Sequence, residues 1–449
     1  MKRDTIISMK QKLQLLTITA IIVGFANFSI AQNYVHQVIV LNEGQYDYGT
    51  GTQITPVSIG SYDVLTDIYT EFDVISGVNF GSDVLVDGDF IYVAADSLLL
   101  KYDKNSLTLT KSTTIEGIRK IAVWKDQILV TIGETVPHNA YFRVFDKNTL
   151  GFIYELNTVN GPAFSSEGVV VLNDTAYIAV SNSFEWGNYK GAIGLVDLNS
   201  QAYMAEVDIM PDGMNPDNLM ISGTTLYTLN NKDWSSSSIT EFNTLDRTFT
   251  TTNLSAPSGC GASVFADNRI IYHRYDNDMN WVDTNNTLNL FNITDQSVDT
   301  IYPNLFNVYG MVDDPINSQL YLTTTDFVSF GMAYRMDYSG TLIDSFAVGV
   351  SPGNLALDVR QVSSVNDMSS AGEFAVHPNP SSSILYIDTR EVSGAYELLI
   401  TDIAGRSVYS EVVNQPANSA IDIESWSNGV YMLFIDSNHG RTSHKIIKY

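Results

Sequence analysis

Between residues 35 and 360 apolar side chains come in short runs, some alternating with polar residues and some continuous, each closed by Gly, Asn, Asp or Pro. No stretch sustains the three-to-four spacing of an amphipathic helix, so the pattern predicts strands joined by tight turns. One phrase recurs: an apolar strand, a polar turn, a strand of the Ile-Tyr-Val type, a loop, a strand ending in Asp or Asn, then a Thr-rich strand. Its clearest copy holds Asp83-Val84-Leu85-Val86, Phe90-Ile91-Tyr92-Val93-Ala94, Leu98 to Asp103, and Leu107 to Ile115. Comparable starts at Ser82, Arg119, Ser166, Asp217, Ser263, Val308 and Pro352 are spaced by roughly forty to fifty residues, the period of a four-stranded propeller blade.

The last start, Leu355-Ala356-Leu357-Asp358, has no strands after it before the alternation stops, and Val38-Ile39-Val40-Leu41-Asn42 has none before it. The two ends are therefore expected to complete one blade together, giving an all-β, seven-bladed propeller over residues 32–360. Ring closure removes exposed sheet edges, which invite aggregation in an exported chain without disulfides. An array of β-sandwiches or two barrels is the alternative that the same strands allow. The Asp or Asn ending each third strand, at Asp103, Asp146, Asp197, Asn243, Asn292 and Asp337, is expected to bond its own following backbone.

The ends of the chain read differently. Residues 1–31 have a basic opening (Lys2, Arg3, Lys10, Lys12), an apolar stretch from Leu13 to Phe28 and a small-residue cleavage site at Ser29-Ile30-Ala31, the pattern of an export signal. A membrane anchor is the other reading, but Thr17, Thr19, Gly24 and Asn27 interrupt the run, and no later segment is apolar enough to cross a bilayer. The mature chain is expected to begin at Gln32 with no transmembrane segment. Residues 361–373 have the composition of a flexible linker, which places a domain boundary there.

Residues 374–449 carry Pro378-Asn379-Pro380, the strand Leu385-Tyr386-Ile387, the turn Asp402-Ile403-Ala404-Gly405-Arg406, the strand Gly429-Val430-Tyr431 and the basic close Lys445-Ile446-Ile447-Lys448. By themselves these describe a small sandwich with a hairpin turn at Asp402 to Arg406. In this order they resemble the C-terminal sorting domain of type IX secretion substrates. The resemblance implies an Ig-like β-sandwich read by an outer-membrane translocon, removal by a sortase-like peptidase, and a product that is secreted or anchored at the outer-membrane surface. A binding role for this segment is the alternative.

Charge narrows the partners. Against 24 Lys and Arg the chain has 50 Asp and Glu, a formal charge of −26, and loss of residues 1–31 makes the remainder more acidic still. Such a surface repels phosphate backbones and anionic lipid, which argues against nucleic acid and against electrostatic docking on a bilayer. The single cysteine, Cys260, excludes an intramolecular disulfide framework; within Ser258-Gly259-Cys260-Gly261-Ala262 it reads as a small buried thiol in a turn before an inner strand.

The repeat region, opening with Val40-Leu41-Asn42-Glu43-Gly44, resembles YVTN/YncE-like propellers of the bacterial surface-exported type, and Gly213-Met214-Asn215-Pro216-Asp217-Asn218-Leu219 carries that group's G-x-x-P-x-x-L phrase. The resemblance implies corrinoids as one candidate ligand. In a propeller the loops joining second to third strands open on a common face. Here they hold Tyr46 and Tyr48, His138, Phe184, Trp186 and Tyr189, Trp234, Tyr275 and Trp281, and Phe327 and Phe330. Such rings either cap the blades or receive a flat or ring-bearing small molecule, glycan or protein segment. Asp83, Lys120, Glu167, Asn218, Ser263, Tyr309 and Asn354, the first residues of the inner strands, are expected to ring the mouth of the central channel. Their polar groups either hold a ligand or hydrate the opening. The expected ligand set is Glu43, Tyr46, Trp186, Tyr189, Trp234, Trp281, Glu167 and Asn218.

Chemistry beyond binding has thin support in the sequence. Asp276 to Asp283 offers oxygen ligands at alternate positions, as a calcium loop does, yet Trp281 stands where such a loop needs glycine and Thr287 where it needs glutamate. Calcium is the one cofactor the sequence leaves open. No H-x-x-x-H pair or G-x-S-x-G elbow is present, so no catalytic residue is assigned. The alternatives to a binding protein are a hydrolase or lyase using carboxylates such as Glu167 and Asp217 on a glycan or lactone, and a structural or adhesive surface protein.

Overall fold

The computed structural model describes residues 32–277, 283–303, 307–362, 375–388, 395–402, 405–414, 419–437 and 440–449. Contacts divide the chain into two compact units, one of Asn33–Arg360 and one that takes in Gln361–Tyr449.

Seven four-stranded sheets build the first unit among the described residues. Six are made of consecutive strands. The first blade consists of Asp83–Asp87, Phe90–Ala95, Leu98–Asp103 and Leu109–Thr114, all antiparallel. The inner strands of the next five are Ile118–Trp124, Ser166–Leu172, Pro216–Ser222, Ser258–Ala266 and Val308–Asp314, each beside the one before it. In the seventh sheet Pro352–Val362 pairs with Gln32–Asn42, which is followed by Val57–Asp63 and Ile68–Ile75, so the two ends of the repeat region share a blade as expected. The unit is an all-β propeller, and the inner strands start at or near the repeat starts read from the sequence.

Burial follows strand position. Second strands such as Phe90–Ala95 and Thr175–Val180 are buried along nearly their whole length because both faces meet neighbouring blades, which is why they are continuous apolar runs. Outer strands such as Leu109–Thr114 are mostly exposed and rich in Thr and Lys. One core cluster joins Ile39, Leu41 and Ile59 of the closing blade to Val84, Ile91 and Val93 of the first. Another joins Val38, Val40 and Tyr62 to Tyr321, Ala333 and Val348 of the sixth, with Tyr62 stacked on Phe346 at 3.8 Å. Each fully buried Val, Leu or Ile contributes about 1.5–3 kcal/mol, so the closing blade is held on both flanks.

Polar contacts reinforce the closure. Asp358, fully buried, accepts from Gln37 Nε2 at 3.0 Å and from Arg360 at 2.7 Å, and pairs with Lys104 of the first blade at 2.9 Å. The third-strand turns repeat one device. Asp103 Oδ1 accepts the backbone N–H groups of Asn105 and Ser106, and Asp146, Asp197, Asn243, Asn292 and Asp337 accept equivalent bonds in their own blades.

Among the described residues no helix is long and apolar enough to cross a membrane, and no group of three or more His, Cys, Asp or Glu could hold a metal ion. Ser258–Ala266 runs as a strand through the segment read as a turn around Cys260, whose side chain is outside the description.

The second unit has a three-stranded sheet, Ala375–His377, Ile384–Asp388 and Ser419–Asp422, and a four-stranded sheet, Ser407–Val413, Tyr396–Asp402, Gly429–Ser437 and Gly440–Lys448. Leu385, Ile387 and Ile421 of the first share a core with Leu398, Ile400, Leu433, Ile435 and Ile446 of the second, as in a sandwich. Its sequence motifs act as fasteners. Asn379 donates to Lys445 O at 2.6 Å and accepts from Ile447 N at 2.9 Å, tying the Pro-Asn-Pro segment to the last strand. Arg406 donates to Asp402 at 2.8 Å across the hairpin turn, where Gly405 takes φ 75°.

Candidate functional site

Of the residues expected to ring the channel mouth, Lys120, Glu167, Tyr309 and Asn354 line two adjoining cavities of about 290 and 170 Å³, whereas Asp83, Asn218 and Ser263 line neither. The larger is lined by Glu43 and Tyr48 of the closing blade, Phe80 to Ser82 leading into the first blade, Arg119 and Lys120 of the second, and Phe184, Asp217, Tyr309, Gly353 and Asn354 from farther round. The smaller shares Arg119, Phe184 and Asp217 with it and adds Glu167, Ser183, Asn215, Asn231 and Trp234. Second-to-third loops therefore reach the same mouth as the inner strands.

Glu43 is placed by the Asn-Glu-Gly opening. Asn42 is fully buried, Glu43 N and Gly44 N donate to Ser351 O and Val350 O, and Gly44 turns the chain at φ 71°. A Cβ at Gly353 would come within 2.6 Å of Glu43 Oε1, so a larger residue there would displace that carboxylate. Burial pushes the Glu43 carboxyl up to about 7, against a hydrogen bond from Tyr309 and the charges of Arg119 and Lys120.

Arg119 is the centre of the wall between the cavities. Its guanidinium lies 5.0 Å from the Phe184 ring centroid and 5.8 Å from that of Phe80, and its Nε donates to both oxygens of Glu167. Burial works against its charge, but Glu167, with Asp217 and Glu43, holds its pKa above the ordinary value. Lys120 is similarly committed: it donates to Ser82 O and Asn354 Oδ1, both at 2.9 Å, with Asp83 at 3.8 Å. Burial raises the Asp83 carboxyl despite that lysine. The two cations of the second blade thus stand between carboxylates of the blades on either side, Arg119 against Glu167 and Lys120 near Asp83.

The residues read from the sequence divide. Glu43 lines the larger cavity, and Glu167 and Trp234 the smaller. Tyr46 packs edge-on against Tyr48, whose ring reaches the cavity. Trp186 is 80% exposed and lies outside both cavities, 6.0 Å from Tyr189. Tyr189 is buried and accepts from Trp234 Nε1 at 3.1 Å, a supporting position. Asn218 donates to Ser263 O at 2.8 Å and lines neither cavity. Trp281 and most of the calcium-like loop, residues 278–282, lie outside the described residues. Sequence reading missed Arg119, Phe80 and Asn215 as site residues. The one available signal was a large cation at a repeat start where Ser82, Ser166 and Ser263 are small.

Comparison with known proteins separates the two units. Residues 375–449 match the family described as secretion system C-terminal sorting domain. The chain carries a type IX export address. It directs the protein through the type IX system to a secreted or cell-surface location, and the secretion machinery is the partner that this domain implies. No curated protein matches the chain in sequence. Among solved structures, a hypothetical selenium-binding protein from Sulfolobus tokodaii is 10% identical with a TM-score of 0.55, covering 75% of this chain and 94% of its own. A quinonprotein alcohol dehydrogenase-like protein from Bacteroides thetaiotaomicron is 12% identical with a TM-score of 0.53, covering 73% and 79%. Hydrazine synthase from Kuenenia stuttgartiensis is 14% identical with a TM-score of 0.52, covering 65% and 97%. At these identities the likeness is one of fold.

Proposed function

We propose that the exported chain is a surface or secreted binding protein that captures a ligand noncovalently at the propeller mouth. One observation carries this reading: two adjoining cavities share a wall of Arg119, Phe184 and Asp217, and combine exposed ring faces with polar groups. Rings supply contact area at small entropic cost, and the paired charges orient a ligand without presenting a strong net field. On this reading residues 1–31 are a signal removed on export, residues 361–373 link the propeller to the sorting domain, and a sortase removes that domain at the surface.

The test is binding by the full-length exported chain, measured by thermal shift and calorimetry against sugars, corrinoids, haem and peptides. Phe184→Ala should weaken binding of any hit at least tenfold, about 1.4 kcal/mol, whereas Trp186→Ala, outside both cavities, should leave it unchanged. Equal affinities in wild type and Phe184→Ala would remove the mouth as the site.

A carboxylate-dependent hydrolase is the second reading, and Glu43 favours it. A carboxyl held near neutral pKa in a cavity suits a general acid, whereas both Glu167 oxygens are engaged by Arg119. It predicts turnover of a glycan or lactone that disappears in Glu43→Gln.

A further inference from the structure

Two buried side chains at the mouth have polar atoms that nothing in the described protein satisfies, one in each cavity. Ser82, 5% exposed, lines the larger cavity with Oγ unpaired, and Asn215, 2% exposed, lines the smaller with Nδ2 unpaired. Buried polar groups almost always find partners, so an orphan in a cavity wall marks where a bound molecule completes the pairing.

The other polar groups of the smaller cavity are committed. Glu167 accepts from Arg119 and Ser183, Asn231 donates to Asp217 and accepts from Ser258, and Trp234 donates to Tyr189. Among the described residues, the hydrogen bonds of Arg119 run through Nε. What the cavity still offers is therefore donors, Asn215 Nδ2 and the terminal N–H groups of Arg119, and these call for an acceptor oxygen. Charge selects which kind. Glu167 already offsets Arg119, and Asp217 stands in the same wall, so a carboxylate or phosphate here would be brought beside two carboxylates. A carbonyl oxygen accepts without charge, and Phe184 and Trp234 give its alkyl group apolar surface.

The larger cavity has a different inventory. Glu43 and Ser82 can exchange hydrogen bonds with hydroxyls, beside the faces of Tyr48, Phe80 and Phe184. This is a set for a hydroxylated ring. A cavity of about 150 Å³ holds benzene, so about 290 and 170 Å³ have room for a sugar ring and a short acyl group.

We propose that the two cavities form one site for a neutral N-acylated sugar, with the ring in the larger and the acyl carbonyl in the smaller, on Asn215. The proposal rests on the binding reading and adds its ligand class. Asn215 is well suited to hold that oxygen: its backbone sits at φ 58°, pinned by Asn215 N to Lys190 O at 2.6 Å and Asn231 N to Asn215 O at 2.9 Å.

Calorimetry on the full-length exported chain with N,N′-diacetylchitobiose and cellobiose, which differ at the acetamido positions, tests it. The acetylated disaccharide should bind at least tenfold tighter, and Asn215→Asp, which keeps the shape and tolerates the left-handed backbone but loses the donor, should bring the ratio to about one. Asn215→Gly, free at the same φ, should do likewise and stands in where the aspartate variant fails to fold. No binding of either sugar, equal binding by wild type, or a preference that survives in both variants would overturn the proposal. A different hit from the wider panel that is lost in Phe184→Ala but indifferent to Asn215→Asp would overturn it while leaving the binding reading in place. If nothing in the panel binds, both fail.

Discussion

Arg119 of the second blade and Glu167 of the third meet through one nitrogen and two oxygens, with Nε 3.2 and 3.0 Å from Oε1 and Oε2. The Glu167 side chain is only 5% exposed and its carboxylate is held by this partner. Removing one member of a buried pair leaves the other uncompensated, at a cost of about 3 kcal/mol. Arg119→Ala should therefore lower the urea midpoint by that equivalent. Arg119→Lys, which keeps the charge but lacks Nε, should fall between it and wild type. An unchanged midpoint in Arg119→Ala would show that the pair is not structural.

Glu43 gives stability a pH dependence of defined sign. Its carboxyl is raised from 4.5 to about 7 in the folded protein, so between those values the folded state binds more protons than the unfolded one. Its contribution is fully present below about pH 4.5 and is lost as pH rises through about 7, by up to roughly 1 kcal/mol per pH unit. Glu43→Gln should flatten the melting temperature of the exported chain across that window relative to wild type. Parallel curves would contradict the assignment.

Asp358 ties the closing blade to Lys104 of the first. Burial opposes its charge, but bonds from Arg360, Lys104 and Gln37 keep its pKa below the usual aspartate value. It therefore stabilises the fold at pH above the unfolded aspartate value and loses that contribution as pH falls through its own lower pKa. Asp358→Ala strands Lys104 and Arg360 and should cost about 3 kcal/mol at neutral pH by denaturant titration. The matched Asp63→Ala change, at an exposed turn of the same blade, should cost under about 1 kcal/mol.

Export should depend on the second unit. Deleting residues 375–449 is expected to leave the propeller inside the producing cell, as read by fractionation and surface proteolysis. Arg406→Ala should have a smaller effect, since its exposed bond to Asp402 contributes about 0.5 kcal/mol. Undiminished surface display of the deletion would remove the sorting role.

Much of the architecture was legible because strand, turn and repeat are local. Phe90–Ala95 is a continuous apolar run because both faces are covered, and Asp103 ends its strand because its carboxylate closes the next turn. The pairing of chain ends was readable too, since Pro352–Val362 lacked following strands and Gln32–Asn42 preceding ones.

The site was less legible. Phe184 and Trp186 are two residues apart in one loop, yet the first lines both cavities and the second is 80% exposed. Both rings have the same meaning in sequence; which one turns inward depends on the neighbouring blade, where Arg119 offers its guanidinium to Phe184.

Sequence by itself determined the strand content, the blade period, the shared closing blade and the export address, because each is written in adjacent residues and their spacing. Tertiary structure alone decided that Glu43 stands against Gly353, Arg119 against Glu167, and Asn215 unpaired in a cavity wall. Those contacts join blades distant along the chain, and their energies come from burial and charge proximity, which depend on distance in space and leave no pattern along the sequence.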